Sequence, residues 1–410
     1  MDQRQGASVG VLVVRVRPVV VRCMRRRSIA RALAPGYASP ILTICSILPA
    51  YLLRAIAANG DDEDRARALA SLAFTSDSRQ ERQALTELAG MLVLPPRAKR
   101  RTVYDAREGR ALPGVIVRTE GERRTRDAAV NEAYDGAGKT YDFFRRVYGR
   151  SSVDGRGLGI RSTVHYGRGF CNAHWNGRQM IYGDGDGKYF HRFTSSLDVI
   201  AHELTHGVTQ YTANLGFSGQ CGALAEHFSD VFGILAKQYT LRLSAVQSDW
   251  LIGAELLTDR VHGAGIRSMK APGTAYDDRI LGRDPQPSHM RDYVRTSGDD
   301  RGVHVNCGIP NHAFYRAAID LGGNAWEVAG RIWYHALTRE LAPRSRFQQC
   351  ADATWRAAGT LYGRNSAPQE AVALAWREVG VEVRDATPRT RPTRERMMMP
   401  VAGAELPYLA

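Results

Sequence analysis

One seven-residue stretch, AHELTHG at 201–207, limits most strongly what this chain can fold into. Apolar residues recur around it at helical spacing, so it predicts a buried helix, with Thr194 or Ser195 as the N-cap. Residues four apart share one helix face, so His202 and His206 can direct two imidazole nitrogens at one tetrahedral zinc ion. Glu203 lies about 100° round the helix, where it is no ligand but can reach a water beside the metal.

A second helical segment, GALAEHFSD at 222–230, supplies a candidate third ligand. Catalytic zinc sites use three protein ligands and keep a fourth position open. Glu226 follows His206 by twenty residues, and Asp230 lies four residues further on the same face. Asp230 can accept the second N–H of a ligand histidine and so fix its orientation. The alternative, two core histidines beside a solvated glutamate, leaves this acidic pair unexplained.

Length, hydropathy and charge restrict the class of protein. The chain has 410 residues, 44% hydrophobic and 24% charged, which is typical of a soluble globular protein with two or three domains. No apolar run reaches the ~18–20 residues that a membrane span needs. Much of the net charge of +14 lies in arginine-rich stretches before residue 32 and after residue 383. Such runs are usually solvated tails, so we expect no nucleic-acid partner, no membrane partner and a monomer.

The six cysteines are scattered and include no C-x-x-C pair. A chain of this size needs no disulfides to hold its core, so we expect reduced thiols and a cytoplasmic location. The alternative is secretion from a start at Met24, with Arg25–Arg27 and the apolar run 41–48 acting as an export signal.

HELTHGVT at 202–209 together with GALxExxSDxFG at 222–233 resembles the thermolysin-like family of zinc endopeptidases, and the similarity runs from about Arg101 to Val383. The resemblance implies an α+β fold with a β-rich amino-terminal lobe and a helical carboxyl-terminal lobe. It implies one catalytic Zn²⁺ on His202, His206 and Glu226, with Glu203 as the acid–base group. The implied function is a zinc-dependent neutral endopeptidase acting on peptide or protein substrates.

Five segments are predicted along the chain: a disordered extension at 1–40, a propeptide at 41–101, an α/β lobe with the zinc helix at 102–210, a helical lobe at 211–383 and a disordered tail at 384–410. PAYLL at 49–53 resembles the PPYLL of short propeptides in the protealysin-like branch. That resemblance implies a zymogen that its own propeptide inhibits and that processes itself near 97–103. Helices are expected at 63–74 and 80–92. Cys45 is either a thiolate on the zinc or an ordinary packed thiol.

The family resemblance also assigns further site residues. In DDRGVHVNCGIPN at 299–311, His304 matches a donor to the developing oxyanion, and Asp299 matches the carboxylate that orients it. Asn172 and the backbone of Ala173 match an edge strand that holds substrate. An apolar pocket with an arginine at its base implies cleavage on the amino side of bulky hydrophobic residues; it comprises Phe190, Phe193, Val199, Ile266 and Arg267.

The sequence departs from the family pattern at several positions. Phe217 stands where a tyrosine also donates to the oxyanion, and Ala225 replaces the usual asparagine before the third ligand. These two changes motivate the alternative of a catalytically weak relative that acts as a binding protein. Only Asp198 and Asp249 remain of five calcium-binding carboxylates, so the paired calcium site is predicted to be absent. The Lys237 ammonium is predicted to bridge those two acids instead.

Overall fold

The computed structural model describes residues 46–74 and 98–384. The expected helix at 80–92, the two terminal segments and Cys45 therefore lie outside the described residues. All described residues belong to one compact unit. Within the described ranges, no helix is both long and apolar enough to cross a membrane.

A five-stranded sheet forms the amino-terminal lobe. Its strands are β1 (Arg101–Asp105), β2 (Val115–Thr119), β3 (Ile160–Val164), β4 (Ala173–Trp175) and β5 (Met180–Tyr182), in the order β2-β1-β3-β5-β4. β1, β3 and β5 run parallel, whereas β2 and β4 are antiparallel to their neighbours. The predicted substrate strand, β4, therefore lies at an edge of this sheet. An edge strand leaves backbone N–H and C=O groups available to another extended segment.

Helix α3 (Ala128–Tyr148) packs against this sheet. Its first turn is capped by Asp127, whose side chain accepts from the Val130 N–H, and it ends at Gly149, where φ is +70°. Gly136 lets α3 approach the zinc helix, because a Cβ there would lie 2.4 Å from Ile200 Cδ1. The described sheet begins at Arg101, one residue before the predicted start of this lobe, so processing at the end of the predicted range 97–103 would cut inside β1.

Two long helices cross at the centre of the molecule: α4 (Leu197–Gln210) and α5 (Gly219–Leu241). The predicted caps of α4 are wrong, because Ser196 is its N-cap residue and its hydroxyl contacts Asp198 and Glu255 instead of the helix N–H groups. Gly233 allows the close crossing, since a Cβ there would lie 2.7 Å from the Asp198 carbonyl oxygen. This approach places α5 directly beside the histidines of α4.

The carboxyl-terminal lobe ends in five helices. They are α6 (Asp299–Asn306), α7 (Gly308–Leu321), α8 (Ala329–His335), α9 (Phe347–Tyr362) and α10 (Ala367–Glu378), and a π-turn at Ala336–Glu340 follows α8. The predicted helical lobe is not helical throughout, because the part between α5 and α6 has little helix. That part contains the short strands β6 (Leu251–Ile252), β7 (Arg267–Ser268), β8 (Asp277–Asp278) and β9 (Gly282–Arg283), with two 3₁₀ turns. Its many Gly, Pro and Asp residues favour turns over helix.

The described propeptide consists of an extended start and two helices, α1 (Ala50–Asn59) and α2 (62–74). Leu52, Leu53 and Ile56 are the buried face of α1. At the end of α2, the Phe74 ring meets Phe170 edge-on with 5.5 Å between centroids. The propeptide therefore packs through an apolar face onto the catalytic body.

Candidate metal centre and substrate cleft

The imidazoles of α4 and a carboxylate of α5 converge on one point. His202 Nε2 and His206 Nε2 lie 3.2 Å apart. Glu226 Oε2 is 3.4 Å from His202 Nε2, and Glu226 Oε1 is 3.4 Å from His206 Nε2. All three side chains are buried. Two nitrogens and a carboxylate in this arrangement match the three-ligand set of a catalytic zinc site.

The chemistry of the donors fits a cation. Neither oxygen of Glu226 accepts a hydrogen bond from the residues that the structure describes. Although burial opposes ionisation, His304 and His206 hold the pKa of Glu226 well below its usual range. A buried carboxylate without hydrogen-bond donors is costly unless a positive charge balances it. The residues present therefore fit a metal ion.

Glu203 stands beside this group in a different role. One of its carboxylate oxygens lies within 4.8 Å of a ring nitrogen of each histidine. However, Glu203 Oε2 accepts from the Trp175 N–H at 3.0 Å, which ties it to β4, whereas Glu226 faces both imidazoles. We therefore favour Glu226 as the third ligand. Burial raises the pKa of Glu203 to about 8, so this carboxyl is poised to hold a proton.

Asp230 orients His202 from behind. Its Oδ1 lies 2.9 Å from His202 Nδ1. Arg267 donates to both Asp230 oxygens, at 2.9 and 2.8 Å, and Asn311 Nδ2 donates to Oδ2 at 2.8 Å. Burial opposes ionisation, but Arg267 holds the pKa of Asp230 far below its usual range. An ionised carboxylate can only accept, so His202 carries its proton on Nδ1 and leaves Nε2 for a metal.

His304 is aimed at the same point by an unusual turn. Asp299, Asp300 and Arg301 adopt φ values of 51°, 49° and 68°, and Gly302 has φ 77°. Left-handed non-glycine residues cost on the order of 1–3 kcal/mol each, so other contacts must hold the turn. Asp299 Oδ1 lies 2.6 Å from His304 Nδ1, and Oδ2 accepts from the His304 N–H at 2.8 Å. As a result, His304 Nε2 lies 3.3 Å from Glu226 Oε2.

The two departures near the metal centre are buried. Phe217 packs against Val303, the residue before His304. Ala225 is buried on α5, next to Glu226. Neither side chain can donate a hydrogen bond.

The predicted substrate residues hold the propeptide. Ile47 N donates to the Ala173 carbonyl at 3.1 Å, and Arg267 Nη1 donates to the Ile47 carbonyl at 3.1 Å. Asn172 accepts from the Leu48 N–H at 2.9 Å and donates to the Leu48 carbonyl at 3.1 Å. The other predicted pocket residues are all buried: Phe190, Phe193, Val199 and Ile266.

Charged and polar residues also join the propeptide to the catalytic lobe. Lys188 Nζ lies 2.7 Å from Asp61 Oδ2 and 2.7 Å from Asp64 Oδ2. The Tyr189 hydroxyl donates to Asp64 at 2.8 Å, and Asp64 is buried. We call these four residues the Lys188 clasp.

Lys237 contacts both acids that remain of the five matched to a calcium site. Its Nζ is 3.7 Å from Asp198 Oδ2 and 3.4 Å from Asp249 Oδ2. Its shortest contact, 2.9 Å, is to Glu255 Oε1, and this contact was not predicted from the sequence. The family resemblance matches Ala254, the residue before Glu255, to one of the five calcium-binding carboxylates, so a shift of one residue in that loop would have predicted the contact.

The site has the features of a metallopeptidase. Two histidines on one helix and a glutamate on the next can hold a metal, a second buried glutamate lies beside them, and an edge strand holds a peptide. Residues 91–210 match the catalytic domain of thermolysin metallopeptidases, and residues 213–381 match their alpha-helical domain. An extracellular metalloprotease of Pectobacterium carotovorum subsp. carotovorum is 50% identical over 342 residues, covering 83% of this chain and 97% of that protein. The chain belongs to the thermolysin family of zinc metallopeptidases.

Two further relatives refine the assignment. Thermolysin of Alicyclobacillus acidocaldarius subsp. acidocaldarius is 40% identical over 288 residues, covering 68% of this chain and 50% of that protein. The structure of the precursor of protealysin from Serratia proteamaculans is 45% identical with a TM-score of 0.75, covering 82% of this chain and 99% of the other. The predicted fold and the protealysin-like branch are confirmed. The chain is a zinc-dependent neutral endopeptidase made as a zymogen, and the alternative of a catalytically weak relative that acts as a binding protein is not supported.

The predicted cytoplasmic location is wrong. The Pectobacterium relative is an extracellular metalloprotease, which points to secretion. Scattered cysteines were a weak guide, because a chain with a large core can leave its thiols free in any compartment. In the described residues Cys171, Cys221, Cys307 and Cys350 are free.

Proposed function

We propose that this secreted peptidase cleaves on the amino side of bulky hydrophobic residues and removes its own propeptide. The observation that carries the proposal is the seating of Ile47, whose backbone is held by Ala173 and Arg267 while its side chain is fully buried. An added β-strand whose backbone is hydrogen-bonded and whose side chain enters an apolar pocket is a common mode of peptide recognition.

In the proposed site, His202, His206 and Glu226 hold one zinc ion. Bound zinc supplies Lewis acidity, polarising the scissile carbonyl and lowering the pKa of water. Glu203 takes the proton from the attacking water and passes it to the departing amine, a role that suits its raised pKa. His304, oriented by Asp299, donates from Nε2 to the developing oxyanion.

Selectivity follows from the cleft walls. Phe190, Phe193, Val199 and Ile266 offer only apolar surface, so a charged side chain entering there loses its hydration without a partner. Arg267 is not free to pair with such a charge, because Asp230 already holds it through two hydrogen bonds. Its remaining Nη1 donor serves the substrate carbonyl. Arg267 thus positions the backbone, and the pocket selects the side chain.

The test uses the purified full chain beside Glu203→Gln, with the exposed Glu370→Gln as a matched control. We expect about one zinc per chain in all three proteins. Wild type and Glu370→Gln should cut a peptide with leucine after the scissile bond, while Glu203→Gln loses on the order of 10²–10⁴-fold in kcat. Equal activity in Glu203→Gln would remove Glu203 from the mechanism, and a lack of zinc would overturn the ligand set.

A further inference from the structure

The propeptide lies across β4 in one definite register. Ser46 pairs with His174 in an antiparallel bridge, and Ile47 N donates to the Ala173 carbonyl. Because the pairing is antiparallel, the chain before Ile47 runs towards Trp175. The Trp175 N–H is the group that Glu203 Oε2 accepts from, at 3.0 Å. Arg267 holds the Ile47 carbonyl. The next peptide bond from there towards Glu203 is therefore the bond between Ser46 and Ile47.

We propose that the Ser46–Ile47 bond is a self-cleavage site inside the propeptide, distinct from processing at the junction before β1. The proposal rests on the peptidase mechanism above. Water adds to the Ser46 carbonyl carbon while Glu203 accepts its proton. The C–N bond then breaks, and the proton passes to the Ile47 nitrogen. The products are a carboxylate on Ser46 and an amine on Ile47, so the hydrolysis consumes one water and needs no other reactant.

Contacts on both sides fix this register. Ser46 Oγ accepts from Asn172 Nδ2 at 3.1 Å and donates to the Leu48 carbonyl at 3.3 Å. A shift that placed Pro49 opposite Ala173 is excluded, because proline has no N–H to donate. Ile47 and Leu48 are fully buried, whereas a shifted register would bring Ser46 into the apolar pocket.

The part of the propeptide that follows the cut bond should stay in place. Residues after Ile47 remain joined to α1 and α2, and the Lys188 clasp lies far along the chain from the cut bond. Cleavage would therefore release residues 1–46 first and leave a nicked, still inhibited form. Activation then has two steps, and the first is not accompanied by full activity.

The experiment follows the full chain with zinc by intact mass and amino-terminal sequencing. A new amino terminus at Ile47 is expected, at a rate independent of protein concentration because the segment is cut within its own molecule. Ile47→Leu should keep the rate, since the side chain stays bulky and apolar. Ile47→Asp should slow this cut at least about tenfold, because a charge enters the apolar pocket. Activity of Ile47→Asp on an added peptide, measured after an added protease has removed its propeptide, shows that its site is intact.

A second readout needs no activity. In full-length Glu203→Ala, the backbone amide protons of residues 47 and 48 should exchange at least about tenfold more slowly than those of the double variant Glu203→Ala with Ile47→Asp, because both are hydrogen-bonded. Exchange at the unfolded rate would overturn the register. If wild type cuts an added peptide but no Ile47 terminus forms, self-cleavage at this bond is overturned and the peptidase function stands. If no peptide is cut at all, both fail together.

Discussion

At the scale of single residues, Phe217 is the departure from the family pattern that we expect to affect the catalytic rate most directly. It stands eleven residues after His206, where the thermolysin-like pattern has a hydroxyl donor, and it packs on Val303 beside His304. We predict that Phe217→Tyr raises kcat on the order of 10-fold or more with little change in KM, because a new donor acts mainly in the transition state. Steady-state kinetics on one peptide measures this.

Phe217→Leu is the matched control, since it changes the ring without adding a donor and should not raise kcat. An unchanged kcat in Phe217→Tyr would mean that the hydroxyl does not reach the oxyanion. The oxyanion would then be stabilised by His304 and the metal alone.

Residue roles were predictable from sequence where they depend on local spacing. His202, His206 and Glu203 share one helix, so the period of 3.6 residues places them. The pairing of Arg267 with Asp230 was not predictable, because these residues are 37 positions apart and meet only through the tertiary fold. The left-handed turn at Asp299–Gly302 was also missed, since three of its four residues rarely adopt positive φ. Contacts within an element can be read from a pattern, but contacts between elements need the fold.

At the scale of elements, His165 joins the end of β3 to α3 and to the loop at 183–187. Its Nε2 lies 2.8 Å from Asp127, the N-cap of α3, and its Nδ1 lies 2.9 Å from Asp184. Asp184 and Asp127 raise the pKa of His165 to about 9, although burial opposes this. The folded protein thus holds this proton more tightly than the unfolded chain, whose histidine has a pKa near 6.5.

The stabilisation from His165 should therefore be complete below about pH 6.5 and lost as the pH rises through about 9. We predict that His165→Gln lowers the urea midpoint at pH 6 and has a much smaller effect at pH 10. Denaturation of both proteins across this range measures the difference. A gap between the two midpoints that stays constant with pH would show that the imidazolium charge contributes nothing.

Lys237 ties α5 to α4 and to the loop that carries Glu255. Asp198 is fully buried, and burial raises its pKa while Lys237 lowers it. We predict that Lys237→Met destabilises the protein by about 3 kcal/mol, the lower end for breaking a buried pair, because Asp249 and Glu255 are each 45% exposed. Urea unfolding measures this, and Lys270→Met, at an exposed lysine, should change little.

The same element tests the calcium prediction. If the Lys237 ammonium takes the place of the ions, the thermal midpoint of the zinc-loaded wild type should be the same in calcium and in a calcium-selective chelator. A midpoint that rises with calcium concentration would place an ion near Asp198 and overturn the prediction.

At the scale of the whole molecule, charged residues of the Lys188 clasp hold the propeptide in addition to the cleft and to the apolar contacts of α1 and α2. Lys188 connects the exposed Asp61 and the buried Asp64, and Tyr189 also donates to Asp64. Burial opposes ionisation of Asp64, but Lys188 and Tyr189 hold its pKa below its usual value. The clasp should therefore weaken as the pH falls through this lowered pKa, because protonation removes the charge that Lys188 pairs with.

We predict that Lys188→Met speeds propeptide release several-fold at neutral pH and leaves kcat of the released enzyme unchanged. The reason is that two charge pairs disappear at a surface that touches neither the metal ligands nor Glu203, while Asp64 stays buried without its cation. The lag before peptide cleavage reaches a steady rate measures release. Lys188→Arg keeps the charge and should keep the lag. If Lys188→Met shows the wild-type lag, the cleft contacts and the packing of α1 and α2 hold the propeptide without the clasp, and the clasp has no part in latency.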